Sequence, residues 1–348
     1  MKITVLGAGA FGVALANTLV TKGADVALWG RNNHIATAIN NHHAVPWISF
    51  QGIKLNKKLE VIQDLKKAIS NAEMVIIAIP SNELRNFLSE SIKNIKSFKD
   101  SLSHSKIISV SKGIEENTCL RMTEVIIDVL GIPKNQVGVL SGPNLAVEIA
   151  KGLPCQTIVS SYENLDFASQ IRDTFQTNNF RVYLNQDIIG VEYAGAMKNI
   201  IAIAAGFCAG LELGDNTMGG LITRGAIEIE RFALELGAKR DIIKSISLTG
   251  DLITTCVSPG GRNRRAGEDI AKGKSVLDAI NNNTLEGAHT VNAIHQLAEK
   301  HNIYTPICSI VYEVLFNNVS VESAKTTLLA HQEEELEYPE PSNNLIYS

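Results

Sequence analysis

Residues 1–12 read MKITVLGAGAFG. After one lysine comes a run that is apolar at nearly every position, and it ends on Gly7, Gly9 and Gly12 at G-x-G-x-x-G spacing. A strand of this kind, running into glycines and then into a helix, opens a βαβ unit. Gly7 permits the tight turn, Gly9 lets a pyrophosphate approach the backbone, and Gly12 lets helix and strand pack closely. The helix N-terminus that follows faces the phosphates. The alternative is a glycine turn with no ligand; the strand–turn–helix context favours a dinucleotide site.

Working outward, short apolar runs recur as DVALWG (25–30), MVIIAIP (74–80), KIISVSKG (106–113) and QVGVLSGP (136–143), with helical patterns between them. CQTIVSS (155–161) and FRVYLN (180–185) follow. Strands apolar on nearly every residue, alternating with helices, predict a parallel sheet covered on both faces. After about residue 185 helical patterns dominate. The expected architecture is α/β: a Rossmann-type, doubly wound parallel sheet over residues 1–188, a mostly α-helical substrate domain over 189–332, and a mobile acidic tail over 333–348.

The chain has 348 residues, 45% hydrophobic and 20% charged, with a formal net charge of -4. Nothing in that balance suggests nucleic acid or an anionic membrane as a partner. The N-terminus lacks the pattern of a signal peptide. The longest apolar run, Ile200 to Leu211, is short of the roughly 20 residues that span a bilayer and suits a buried helix. Five scattered cysteines without a C-x-x-C argue against a disulfide framework or a zinc site and fit a reducing, cytoplasmic setting. Of eight histidines none sits in a catalytic motif, and the adjacent His42 and His43 lack metal-ligand spacing. Neither histidine catalysis nor a metal is expected.

In an open parallel sheet, ligands bind beyond the carboxyl ends of the strands. The second strand ends LWGRNN, with Arg31 where an acid would hold the ribose 2′-hydroxyl of NAD; Asp25 comes too early. An arginine there suits the 2′-phosphate of NADP, with use of NAD left open. Other strand ends lead to Ser81-Asn82, to Lys112-Gly113 and to Ser141-Gly142-Pro143-Asn144. Lys112 would project into the crevice, where it can hold an anion or polarise a carbonyl; the alternative is a solvated strand-end lysine. In SPGGRNRRAG (258–267) a flexible turn feeds three arginines, which suits a phosphate, although such a turn is also ordinary solvated surface. Asp251, in LTGDLITTC, lies in an apolar and hydroxyl-bearing stretch and needs a cation. Lys198 heads the apolar run of GAMKNIIAIAAG (195–206) and is a candidate for that cation. The bland alternative is a lysine snorkelling at a helix end.

Taken together, GAGAFG, LWGR, SKGIE, SGPNLAVEIA, EYAGAMKNIIAIAAG, GDLITTC, GRNRR and LEGAHT, in this order over residues 3 to about 330, resemble the soluble NAD(P)-dependent glycerol-3-phosphate dehydrogenases. The resemblance implies Lys198 as the proton donor and acceptor, Lys112 touching both cofactor and substrate, and Asp251 beside the catalytic lysine. It implies substrate contacts at Gly142, Asn144, Asn199, Thr255, Gly261, Arg262 and Asn263, with Arg262 also reaching the cofactor. Ala10, Phe11, Arg31, Ala146 and Glu286 match cofactor contacts beside the three glycines. Two positions depart from the pattern: Asn144 stands where bacterial members often have a small hydroxyl residue, and Gly261 where some relatives carry serine.

The implied reaction is reversible hydride transfer between NAD(P)H and dihydroxyacetone phosphate, giving sn-glycerol 3-phosphate for glycerophospholipid synthesis, in a homodimer. A lysine poised near pH 7 needs its pKa lowered by about 3 units, roughly 4 kcal/mol. Burial, Lys112 and Arg262 would push that way and Asp251 the other, leaving Asp251 to orient. Rival readings are a β-hydroxyacid or ketopantoate-type dehydrogenase, or a non-catalytic NADP-binding sensor.

Overall fold

The computed structural model describes residues 1–162, 164–283 and 285–330; the expected tail at 333–348 lies outside them. Eight strands, β1 (Lys2–Leu6), β2 (Asp25–Trp29), β3 (Val61–Ile62), β4 (Met74–Ile77), β5 (Lys106–Ser109), β6 (Val137–Ser141), β7 (Cys155–Ser161) and β8 (Phe180–Asn185), form one sheet. Their order is β3-β2-β1-β4-β5-β6-β7-β8. The chain moves outward from β1 in one direction, then returns to β1's other side with β4. That reversal makes the crevice at the end of β1 the switch point where a Rossmann-type sheet binds its ligand.

The unbroken apolar runs have their cause in two cores. Ile3, Val5, Met74 and Ile76 face one core, whereas Leu6, Val75 and Ile77 face the other. With about 1.5–3 kcal/mol for each such side chain buried, neither face tolerates a one-residue slip.

β3 through β6 pair in parallel, but β7 runs antiparallel to β6, with Leu140 opposite Val159. The expected all-parallel sheet is corrected there. Only the five-residue helix Ala146–Ala150 lies between these strands. The connection, residues 142–154, carries the chain back into the sheet beside β6 in the opposite direction.

Beyond the sheet, the 23-residue helix Ile188–Gly210 forms the core of the helical half. By length and composition it could cross a membrane, contrary to the reading that no segment approaches that size. Its most apolar window is instead 94% buried inside the protein. The helix begins well before Ile200 and carries Glu192 and Lys198, both buried.

Two contacts fix this helix. Glu192 accepts from Arg121 Nη1 (2.6 Å), Thr123 N (2.9 Å) and Thr123 Oγ1 (2.6 Å), tying it to the start of helix Met122–Leu130. On its other side helix Arg262–Ala271 crosses at backbone contact. A Cβ on Gly206 would run into the carbonyl oxygen of Arg264, and one on Gly267 into that of Ile203.

Candidate active site

The glycine turn fits the cofactor half of a dinucleotide site. Gly7 has φ +116°, and a Cβ there would strike the carbonyl oxygen of Ala78 at the end of β4. A Cβ on Gly12 would strike the carbonyl oxygen of Gly7, so strand and helix meet backbone to backbone. Gly9 has open space on its free side and caps helix Ala10–Thr21 without any side-chain cap or first-turn acid. The first N–H groups of that helix therefore remain available to an anion. Phe11 and Ala146 pack against the same core on this side of the sheet, and Ala10 is exposed. A Cβ on Gly30 would lie 2.5 Å from that of Ala8, so Arg31 starts directly beside the glycine turn. Its guanidinium is solvent-exposed and donates to Glu83 at 3.2 Å.

The chemistry lies at the ends of β5 and β6. Lys112 Nζ donates to the carbonyl of Gly142 at 3.0 Å and to Asp251 Oδ2 at 2.6 Å. Lys198 Nζ donates to Asp251 Oδ1 and, at 2.8 Å, to Thr255 Oγ1. Thr255 Oγ1 itself donates to the Asp251 carbonyl at 2.6 Å, one turn back on helix Asp251–Val257. The expected Lys198–Asp251 partnership is present, and Lys112 shares it. Asp251 is 2% exposed and Lys198 7%. Two ammonium groups around one carboxylate leave net positive charge in a buried cleft, which draws an anionic substrate.

Burial pulls Lys198 down to about 8, Asp251 opposes the shift, and Lys112 adds to it. Beside it, Asn199 Nδ2 is buried without a hydrogen-bond partner, as is Ser141 Oγ. A Cβ on Gly195 would sit 3.0 Å from Ser141 Oγ and 3.6 Å from Lys112 Cγ, which places that hydroxyl beside the lysine cluster. Both groups have hydrogen bonds to give a polar ligand.

The arginine turn lies next to the helix that carries Thr255: a Cβ on Gly261 would sit 3.3 Å from the Thr255 carbonyl oxygen. Gly261 caps helix Arg262–Ala271, and its own N–H donates to Ser258 O at 3.1 Å. Arg262 Nη2 lies 3.5 Å from Glu286 Oε1, and Asn263 Oδ1 accepts from Gly287 N at 3.2 Å. These contacts bind the turn to helix Glu286–His301. Asn144 is occupied elsewhere: its Nδ2 donates to Gln156 O at 3.0 Å and its Oδ1 accepts from Thr157 at 2.9 Å. That side chain pins its loop to β7.

Ser141 was singled out in the sequence only as a strand end. Glu192, an acid in an apolar run, carried the same signal as Lys198. Glu83 gave none. Among the described residues no cluster of His, Cys, Asp and Glu suits a metal ion.

Family models described as the N-terminus and the C-terminus of NAD-dependent glycerol-3-phosphate dehydrogenase match residues 2–168 and 187–326. The glycerol-3-phosphate dehydrogenase [NAD(P)+] of Clostridium perfringens (strain SM101 / Type A) is 41% identical over 332 residues, 94% of this chain and 97% of that protein. Its counterpart in Chlorobium phaeobacteroides (strain BS1) is 40% identical over 337 residues, 95% and 98% of the two chains. The crystal structure of glycerol-3-phosphate dehydrogenase from Coxiella burnetii, 30% identical, matches with a TM-score of 0.86 over 94% of this chain and 98% of that one. The chain belongs to the NAD-dependent glycerol-3-phosphate dehydrogenase family.

Proposed function

We infer that this protein is an NAD(P)-dependent glycerol-3-phosphate dehydrogenase, interconverting dihydroxyacetone phosphate and sn-glycerol 3-phosphate. The observation that carries the reading is the buried Lys112–Asp251–Lys198 cluster that joins the strand ends to the helical half. When bound, the nicotinamide supplies or takes the hydride.

In reduction Lys198 gives its proton to the ketone oxygen as the C2 alkoxide develops; in oxidation the neutral amine takes the C2 hydroxyl proton. Asp251 orients both lysines, and Lys112 adds positive charge where the oxygen becomes negative. Thr255 fixes the Lys198 ammonium, Asn199 and the Gly142 loop border the substrate, and Arg262 with Asn263 takes the phosphate. Asn144 and Gly261 act through their loops rather than by side-chain contact.

In this reading residues 1–188 hold the cofactor and 189–332 complete the substrate site. Gly7, Gly9, Ala10, Phe11, Gly12 and Ala146 line the cofactor, Glu286 steadies Arg262 beside it, and Arg31 favours NADPH over NADH. A cytoplasmic homodimer supplying glycerophospholipid synthesis completes the proposal; the free cysteines support a reducing setting.

The direct test is the absorbance decay of NADPH, and separately of NADH, when the purified protein meets dihydroxyacetone phosphate. Oxidation with a faster rate for NADPH is expected. No oxidation with either, where NADPH demonstrably binds, would overturn the assignment in favour of a hydroxyacid substrate or a sensor.

A further inference from the structure

The carboxylate missing from the end of β2 is supplied from another part of the sheet. Glu83 ends the short 3-10 turn Ser81–Glu83 that follows β4, and its Oε2 lies 3.2 Å from Arg31 Nη2. Because β2 and β4 flank β1 on opposite sides, this ion pair bridges the end of β1 beside the glycine turn. Arg85, two residues beyond Glu83, gives its hydrogen bonds to other acids. Arg85 Nε lies 2.8 Å and 3.0 Å from the two carboxylate oxygens of Glu115, and its Nη1 lies 2.7 Å from Asp128 Oδ2. Glu83 is thus left to Arg31, and among the described residues it is the acid paired with that guanidinium.

We propose that Glu83 is a specificity-determining residue that tunes the choice between NADPH and NADH by competing for Arg31. This rests on the reading of Arg31 as the group that meets the 2′-phosphate. A 2′-phosphate must draw the guanidinium away from Glu83, or share it, before gaining its charge-assisted hydrogen bonds. A 2′-hydroxyl makes no such demand, and Arg31 stays neutralised by Glu83 while NADH is bound. The carboxylate therefore lowers the advantage of NADPH and leaves the site usable by both cofactors. An acid on β2 would read the ribose directly; Glu83 acts through the arginine. The side chains of Arg31 and Glu83 are 74% and 51% exposed, so water and salt weaken the pair and the effect is at most severalfold.

The test is Glu83→Gln, which keeps the shape and removes the charge, measured alongside Arg31→Gln and the double variant. The readout is the ratio of kcat/KM for NADPH to that for NADH with dihydroxyacetone phosphate. Glu83→Gln should raise the ratio about 1.5- to 5-fold at low salt, the span of an exposed ion pair. The gain should shrink in about 0.5 M salt and largely vanish when Arg31 is already glutamine. An unchanged ratio in Glu83→Gln, with a lowered one in Arg31→Gln, would overturn the role of Glu83 and leave that of Arg31. An unchanged ratio in both would overturn the Arg31 reading beneath it. A gain that persists undiminished in the double variant would also overturn the proposal, since Glu83 would then act independently of the guanidinium.

Discussion

Lys112 Nζ stands 2.6 Å from Asp251 Oδ2 across 139 residues of chain, joining the end of β5 to the helical half at one carboxylate. Asp251 therefore has two cations to satisfy, and it cannot be neutralising Lys198 alone. Its effect on Lys198 is to raise the pKa, against the larger effect of burial.

Asp251→Asn removes that opposing influence. In the proposed mechanism glycerol 3-phosphate oxidation requires neutral Lys198, so in the native enzyme its rate should rise with pH through about 8. In the variant the rising limb should move to lower pH, because the lysine then loses its proton more readily. Turnover should fall as well, with both ammonium groups no longer oriented. The pH profile of kcat checks this: a limb that stays in place would mean that another group titrates.

Lys198→Ala removes the proposed proton carrier itself. Loss of general acid–base catalysis costs about 10²–10⁴-fold in rate. NADPH binding, followed by fluorescence titration, should remain, because the glycine turn and Arg31 lie on the other half of the crevice. Normal turnover would falsify the catalytic assignment.

Much of this was legible in the sequence, for a physical reason. Lys198 and Asp251 are charges in apolar stretches, and a buried charge must find a partner, so each advertised the other before any contact was known. The central strands showed because burial on both faces leaves few polar residues to break the pattern. What stayed hidden was local or unpatterned. The two residues of β3 are too few to show a period, and the direction in which β7 pairs with β6 leaves no mark on either strand's own apolar pattern. Glu83, an acid on an exposed turn, looks like any other surface glutamate until the fold brings Arg31 beside it.

The Arg121–Glu192 pair is buried on both sides, with side chains 6% and 4% exposed. Removing one partner leaves an uncompensated charge, so Arg121→Met should cost about 3–5 kcal/mol. Adding Glu192→Leu should recover part of that loss, since it removes the uncompensated carboxylate but leaves Thr123 N and Oγ1 without their acceptor. Urea denaturation measures both. A double variant as unstable as the single would show that the cost does not lie in the uncompensated carboxylate.

Arg262→Ala addresses the phosphate. The guanidinium is half-exposed and held at 3.5 Å by Glu286, so it can turn to a ligand without breaking a buried contact. The variant should lose far more kcat/KM with dihydroxyacetone phosphate than with a ketone lacking the phosphate. Equal losses with both would assign Arg262 to the cofactor alone.

Gly206→Ala probes how the fold holds that arginine in place. The added methyl group meets the carbonyl of Arg264, backbone that cannot swing aside as a side chain would. Helix Arg262–Ala271 must then move off the core helix, carrying Arg262 and Asn263 with it, while Lys198 stays two turns away on the helix that remains. Overpacking of this kind costs about 1–3 kcal/mol, read as a lowered urea midpoint. KM for dihydroxyacetone phosphate should rise more than kcat falls, because the displaced groups are those proposed to grip the substrate's phosphate and Lys198, the proposed proton carrier, is untouched. A fall confined to kcat would instead place the crossing under Lys198 and not under the phosphate grip.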